Sequence, residues 1–460
     1  MSRERAEVVV CGAGIAGISA AYHLSVRFGF RDILLVDERP PLSLTSDKST
    51  ECYRNWWPGP GDAMVRLMNR SIDLLEAWAR ESSNVFHLNR RGYLFATGDP
   101  ARLALFQAAG EEAAGLGAGP LRIHRGDSGD TTFRPASAEG FEGQPDGADL
   151  LTDRDEIRRR FPYLSESTIG VIHPRRCGWF SAQQLGMYLL RQAQDRGVRL
   201  IHGRIEGVDA KGGRFRSVRL ASSAGVTAID AGAFVVAAGP LLHDAGRMLG
   251  LDLPVTAELH AKVAMADPLR VVPRDVPLLI WADPQKLPWT DEERTEWSSS
   301  ETSRWMLDEF PAGVHARPDG PEDSPIILIL WTYHTQPVEP RFPPAFDPAY
   351  PEIALRGLAT MIPGLRAYFG RAPRPVVDGG FYLKTRENRP LIGPLPIEGA
   401  FVIGALSGFG LMASPAAGEL LAAWVAGASR PTYAPAFQLE RYDDPAYRKL
   451  LETWGSSGQL

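Results

Sequence analysis

The stretch from residue 8 to residue 37 constrains this chain more than any other. A short apolar run, Val8-Val9-Val10-Cys11, leads directly into Gly12-Ala13-Gly14-Ile15-Ala16-Gly17, then a helical pattern over residues 17–28, a second apolar run at residues 33–36, and Asp37. An apolar run, a glycine turn, a helix and another apolar run within about thirty residues predict a βαβ unit with two parallel strands. Each glycine has a mechanical reason: Gly12 permits the tight turn, Gly14 lets the backbone approach an anion, and Gly17 brings helix and strand together. The helix N-terminus offers free N–H groups and partial positive charge, which suit a pyrophosphate, and Ile15 and Ala16 of the turn leading into it are expected to bind the cofactor with the glycines. Asp37, with Glu38 beside it, ends the second strand where the adenosine ribose of a dinucleotide presents hydroxyls, and its charge repels the extra phosphate of NADP.

The rest of the chain alternates in the same style, and no repeat period is visible. Helices are predicted over residues 62–80 and 183–196, and strands over 92–95, 198–202, 234–239 and 326–333. Residues 115–147, rich in Gly, Asp and Ser, read as a loop or mobile insertion, and residues 268–324, rich in Pro, Trp and charge, as a substrate-side excursion. Residues 401–418 carry no charge over a length near that of a bilayer span. Gly404, Gly408, Gly410 and Pro415 interrupt them, so they read as a strand, a glycine loop and a helix running to residue 425, with Ser414 as N-cap and Pro415 at the first helical position.

With 460 residues, the chain is long enough for two or three domains. Fifty basic against fifty-five acidic side chains give a net charge of −5, which provides no field for nucleic acid. The three cysteines, Cys11, Cys52 and Cys177, fit neither a disulfide framework nor a zinc site. With no leader pattern ahead of residue 8 and no transmembrane segment expected, a reducing, cytoplasmic location is the expectation. There is no second strand–GxGxxG–helix unit. One dinucleotide is therefore expected, and the fingerprint alone leaves NAD and FAD open.

The order of further motifs resembles the D-amino acid oxidase superfamily of FAD-dependent oxidoreductases, which includes sarcosine oxidase, glycine oxidase and dimethylglycine dehydrogenase. Thr45-Ser46-Asp47-Lys48-Ser49-Thr50 is similar to the family's segment against the pyrophosphate and flavin. Gly203-Arg204-Ile205 is similar to the strand whose apolar residue packs by the adenine. Val236-Ala237-Ala238-Gly239-Pro240 resembles its turn beside the cofactor, and Pro390-Leu391-Ile392-Gly393 with Gly404-Ala405-Leu406-Ser407-Gly408-Phe409-Gly410-Leu411-Met412 resembles its C-terminal signature. The resemblance implies an α/β fold: a Rossmann-like FAD-binding domain (1–85, 150–260 and 376–460) interleaved with a mixed-sheet α+β substrate domain (86–149 and 261–375). It also implies an oxidoreductase acting on the C–N bond of an amino acid or related amine, with O2 or an electron carrier as acceptor.

In register with sarcosine oxidase, Arg54 matches the arginine that holds the substrate carboxylate, a role suited to a planar guanidinium fork. His334 and Tyr382 match polar residues of that pocket. Three positions depart from the pattern: Leu330 stands in the place of a lysine linked to oxygen activation, Phe409 in that of a histidine, and Met412 in that of a carboxylate-binding lysine. Together with Trp56, Trp57 and Trp331, they point to a larger or more apolar amine. Gly380 stands at the position of the flavin-linking cysteine, and Cys52 aligns loosely with the flavin-linking histidine of dimethylglycine dehydrogenase, so FAD is expected to be noncovalent. A flavin-dependent 2-hydroxy acid dehydrogenase and an electron-transfer subunit of a larger complex remain as alternatives.

Overall fold

The structure, a computed structural model, describes residues 3–126 and 132–454. Arg3–Cys11 lies parallel to Ile33–Asp37 on one side and to Gly225–Val236 on the other, and Ile33–Asp37 in turn lies parallel to Val198–Lys211. Arg214–Ser222 runs antiparallel between Val198–Lys211 and Gly225–Val236, while Ala400–Gly404 and Leu391–Pro394 extend the other edge to complete a seven-stranded sheet. The central strands are apolar throughout, as Val8, Val9 and Val10 and Ile33, Leu34 and Leu35 are all essentially inaccessible. Both faces of this sheet are therefore covered.

One face is covered by helices. Ile15–Tyr22 passes into a π turn over His23–Arg27, and Gly410–Val425 crosses it closely enough that a Cβ on Gly418 would stand 2.3 Å from Ser19 Oγ. Ala63–Glu81 buries Met64, Leu67, Met68, Ile72, Leu75 and Trp78 at helical spacing, each worth roughly 1.5–3 kcal/mol of transfer free energy. Ala182–Gln194 starts where Ser181 accepts from the Gln184 amide.

The second sheet has nine strands, in the order Val376–Lys384, Thr256–Ala266, Ile326–Leu330, His315–Pro318, Leu278–Trp281, Tyr93–Thr97, Gly170–Pro174, Ala148–Leu151 and Leu121–His124. It thus takes strands from four stretches of the chain, residues 93–124, 148–174, 256–330 and 376–384. Cys52–Arg54 pairs with Cys177–Trp179 in a small third sheet.

Several sequence expectations change. The strand predicted to run through residue 333 ends at Leu330. Residues 268–324 contribute two strands of the second sheet and a helix, Asp291–Ser298, closed by a capping box between Thr290 and Glu293. The expected loop at residues 115–147 holds the strand Leu121–His124, and its residues 127–131 lie outside those described. No helix among the described residues is long and apolar enough to cross a membrane.

Candidate active site

Four parallel strands of the first sheet end at one edge. The chain leaves them at Gly12, at Asp37, at Ala237-Ala238-Gly239 and at Ala405, and these exits line a single cavity of about 880 Å³. The carboxyl ends of such strands are where open α/β sheets bind ligands. Opposite them lie the loop at residues 42–46, Ser49, and Phe381 and Tyr382 of the second sheet.

Two glycines of the fingerprint admit no side chain. Gly12 has φ +113°, and a Cβ there would stand 2.3 Å from the Ala237 carbonyl oxygen; a Cβ on Gly17 would stand 1.9 Å from that of Gly12. Gly17 therefore supports the cavity from behind, while Gly14, Ile15 and Ala16 face it. Asp37 is pinned by two amides: Ala13 N–H donates to Oδ2 at 2.7 Å and Arg39 N–H to Oδ1 at 2.9 Å. A carboxylate has about four acceptor positions, so Asp37 keeps capacity for a ligand hydroxyl. Ser46 Oγ accepts from Ile15 N–H at 3.0 Å, fastening the loop to the helix N-terminus.

A second helix N-terminus meets the same cavity, and its start corrects the expectation. The helix begins at Gly410, with Pro415 inside it. Pro415 lacks an N–H and so removes one bond, to the Leu411 carbonyl. Local hydrogen bonding and packing hold the turn nonetheless. Ser414 Oγ donates to the Gly410 carbonyl at 2.5 Å, Ser19 Oγ to the Ser414 carbonyl at 2.7 Å, and His23 Nε2 to the Pro415 carbonyl at 3.0 Å. The earlier start aims Gly410 and Leu411 at the cavity. Ala405 and Ser407, in the loop before it, have φ of 52° and 48°, left-handed conformations that cost of order 1–3 kcal/mol each and that concentrate at ligand sites.

A smaller cavity of about 500 Å³ adjoins the first, sharing Ser49, Tyr382 and Gly408 with it. Arg54, at the end of Cys52–Arg54, lines it with its guanidinium 4.5 Å over the Trp57 ring and 6.0 Å over that of Tyr93. Burial pulls the Arg54 pKa down, against the pull of the Tyr93 phenol and the Cys177 and Cys52 thiols. Trp57 meets Phe409 edge to face at 4.8 Å, and Leu330 and Met412 complete an apolar wall.

Two histidines absent from the sequence expectation line this cavity. His315 Nδ1 donates to the Gly313 carbonyl at 2.9 Å, leaving Nε2 as the acceptor of the neutral ring; burial, with a smaller contribution from the Arg54 charge, lowers its pKa to about 4. His260 lies flat on Tyr382 with ring centroids 4.1 Å apart. The signal for His260 was present as Glu258-x-His260-x-Lys262, the polar alternation of a strand with one hydrophilic face.

His334 does not reach this cavity. Because the strand ends at Leu330, His334 sits exposed beside Tyr333 and Trp305, on a third cavity of about 760 Å³ that also takes Trp331. The residue entering the smaller cavity from this segment is Thr332. Trp56 packs on Phe95 instead of entering it.

Among the other expected cofactor residues, Ala238, Gly239, Gly404 and Gly408 line the larger cavity with Ser46 and Ser49, whereas Thr50, Phe409 and Met412 line the smaller. Three lie on neither. Glu38 is exposed, Lys48 pairs with Asp378 at 2.9 Å and with Asp47 at 3.3 Å, and Ile205 is packed in the core on the far side of the Asp37 strand.

A family model described as FAD dependent oxidoreductase (DAO) matches residues 7–424. No curated protein sequence matches the chain. Among solved structures, the L-proline dehydrogenase from P. horikoshii is 18% identical with a TM-score of 0.72, covering 96% of this chain and 98% of its own. The glycine oxidase from Geobacillus kaustophilus is 18% identical (TM-score 0.69; 95% and 99% covered), and the iminodiacetate oxidase from Chelativorans sp. BNC1 20% identical (TM-score 0.68; 94% and 98% covered). At such identities the likeness establishes a shared fold.

Proposed function

This chain belongs to the DAO family of FAD-dependent oxidoreductases, and on that premise we propose that it oxidises the C–N bond of a carboxylate-bearing amine to an imine. The residues fit the cofactor. The larger cavity combines a glycine turn with no room for a Cβ, two helix N-termini for negative charge, and an aspartate with spare acceptor capacity at the end of the second strand. Gly12, Gly14, Ile15 and Ala16 would hold the pyrophosphate, Asp37 the ribose, and the 404–411 loop the flavin end. On this reading the first sheet is the cofactor domain and the second sheet the substrate domain. When bound, FAD supplies a two-electron acceptor for a hydride from the α-carbon.

The single observation that carries the substrate class is Arg54, a buried guanidinium on a second cavity joined to the first through Ser49, Tyr382 and Gly408. A planar fork there anchors a carboxylate bidentately and fixes the neighbouring carbon against the shared wall. Tyr382 and the aromatic pair Trp57 and Phe409 exclude water from that carbon, and the apolar wall of Leu330, Phe409 and Met412 favours a substrate with a hydrocarbon body. Proline, glycine and iminodiacetate, in the names of the neighbouring structures, are all amines with a carboxylate, which supports the same class.

FAD would be held without a covalent bond. Gly380 offers no nucleophile, and the Cys52 thiol is pushed up to about 11 by burial while donating to the Thr50 carbonyl at 3.3 Å. The test is anaerobic mixing of the FAD-loaded protein with N-alkyl, cyclic, D- and L-amino acids and the matching 2-hydroxy acids. Bleaching by an amino acid class supports the proposal, and bleaching by hydroxy acids alone refutes it.

A further inference from the structure

An ammonium cannot assist hydride departure, because its nitrogen has no lone pair to share with the carbon. An alkylammonium with the affinity of a lysine side chain titrates at about 10.4, so at pH 7 only about one molecule in 2,500 is the reactive free amine. A site that oxidises amines at neutral pH gains from a group that takes this proton, and the smaller cavity contains a chain of groups suited to it.

Glu258, His260 and Lys262 occupy alternate positions of Thr256–Ala266 and share one face of the second sheet. Both ring nitrogens of the buried His260 are engaged. Nε2 lies 3.2 Å from Glu258 Oε2, and Nδ1 lies 2.9 Å from Thr332 Oγ1. A carboxylate can only accept, so Nε2 carries the proton of the neutral ring, Nδ1 accepts, and the Thr332 hydroxyl donates to it. Glu258, itself buried, is held from its other oxygen by Lys384 Nζ at 2.5 Å. Thr332 lies on the wall of the substrate cavity, so the chain begins at the cavity and ends in a buried, paired carboxylate.

We propose that Thr332, His260 and Glu258, steadied by Lys384, form a proton relay that converts the bound substrate from ammonium to free amine. This rests on the reading of the substrate as an amine. The substrate N–H bond breaks as its proton passes to Thr332 Oγ1, and the Thr332 hydroxyl proton passes to His260 Nδ1. No electrons move, and the products are a neutral amine and an imidazolium hydrogen-bonded to Glu258.

The surroundings suit this. Burial lowers the His260 pKa, so the ring starts neutral, and Glu258 opposes that effect and supports the imidazolium once formed. Glu258 stays ionised because the bonds from His260 and Lys384 outweigh the burial that would raise its pKa. The other titratable groups around His260 are Lys262 on its own strand, whose Nζ is held by the Asp47 and Ser49 carbonyls, and Tyr382 stacked on the ring. His315, Arg54 and Tyr93 face it from the substrate cavity, and His334, Asp347 and Tyr350 from the third.

The test is the rate of anaerobic flavin reduction against pH, for the FAD-loaded wild-type protein, Thr332→Val, Thr332→Ser and Glu258→Gln, with whichever amino acid of the panel bleaches the wild type fastest. Thr332→Val keeps the shape and removes the hydroxyl. Its reduction rate should fall about 100-fold at pH 7, in the range for a lost general base, approach the wild-type rate near the amine's own pKa, and be restored by Thr332→Ser. Glu258→Gln should move the profile in the same direction. A uniform loss at every pH, or an unchanged profile in Thr332→Val, would overturn the relay while leaving the amine assignment standing. Failure of every amine to bleach the wild type would overturn both.

Discussion

Replacing Arg54 by lysine isolates the contribution of the guanidinium fork to substrate binding. The side chain is 7% exposed and stacked over Trp57, so the lysine keeps the charge in nearly the same place but loses the second parallel hydrogen bond and the planar stack. A hydrogen bond to a charged partner is worth about 1.5–3 kcal/mol, and each 1.4 kcal/mol is a factor of ten. The half-saturating amino acid concentration should therefore rise on the order of 10- to 100-fold, with the limiting rate of flavin reduction changing less. Stopped-flow reduction under anaerobic conditions measures both parameters. The decisive control is the decarboxylated amine of the same skeleton, on which wild type and Arg54→Lys should act alike. FAD content should not change, because Arg54 lies outside the larger cavity. Equal loss on the decarboxylated amine, or kinetics identical to wild type on the amino acid, would show that Arg54 serves packing and not carboxylate recognition.

Acid precipitation should release all the yellow colour to the supernatant, and Asp37→Ala should weaken FAD retention on dialysis by about 1–3 kcal/mol; a yellow pellet or unchanged retention would contradict these. Leu330 lies directly across the strand pair from Lys262, whose ammonium is committed to two backbone carbonyls, so no lysine cation lines the smaller cavity among the described residues. Reoxidation by O2 should accordingly be slower than by an artificial acceptor, and Leu330→Lys should speed it. His23 and His173 are held neutral by burial to about 3, and His315 to about 4. Their folded pKa values lie below the unfolded 6.5, so the unfolded chain takes up protons first. Stability is full above pH 6.5 and falls through the window down to about 4 for His315 and about 3 for His23 and His173, by up to about 1.4 kcal/mol per pH unit for each histidine; a urea midpoint that is flat between pH 7 and 5 would refute this.

The parts of the fold legible in the sequence are those fixed by local chemistry. Gly12 and Gly17 announce themselves because nothing larger fits, and Asp37 because a charge interrupts the apolar pattern at a strand end. The inward face of Thr256–Ala266 was not legible. Its polar alternation of Glu258, His260 and Lys262 looks like a solvated face, and only the long-range pairing with Val376–Lys384 buries Glu258 and His260. His334 lies off the smaller cavity for a related reason. The resemblance places it at the end of a strand running through residue 333, but pairing stops at Leu330 and Thr332 takes the inward position. Pro415 misplaced a helix start because the packing of Ser19 and His23 against residues 414–415 outweighs one missing hydrogen bond. Glu38 and Lys48 lie beside the cavity-lining Asp37 and Ser49 in the sequence, yet line neither the larger nor the smaller cavity, and Ile205 is packed in the core.

The most direct measurement is a single anaerobic turnover of the FAD-loaded protein with a slight excess of an amino acid that bleaches it, followed by quantification of the products. One imine should be formed per FAD reduced, recovered as one carbonyl compound and one ammonia or alkylamine after hydrolysis or, from a cyclic amino acid, as the cyclic imine or its ring-opened amino carbonyl form. Full bleaching with the amine recovered intact, or with the imine and its hydrolysis products together well below one per flavin, would contradict oxidation of a C–N bond at this site.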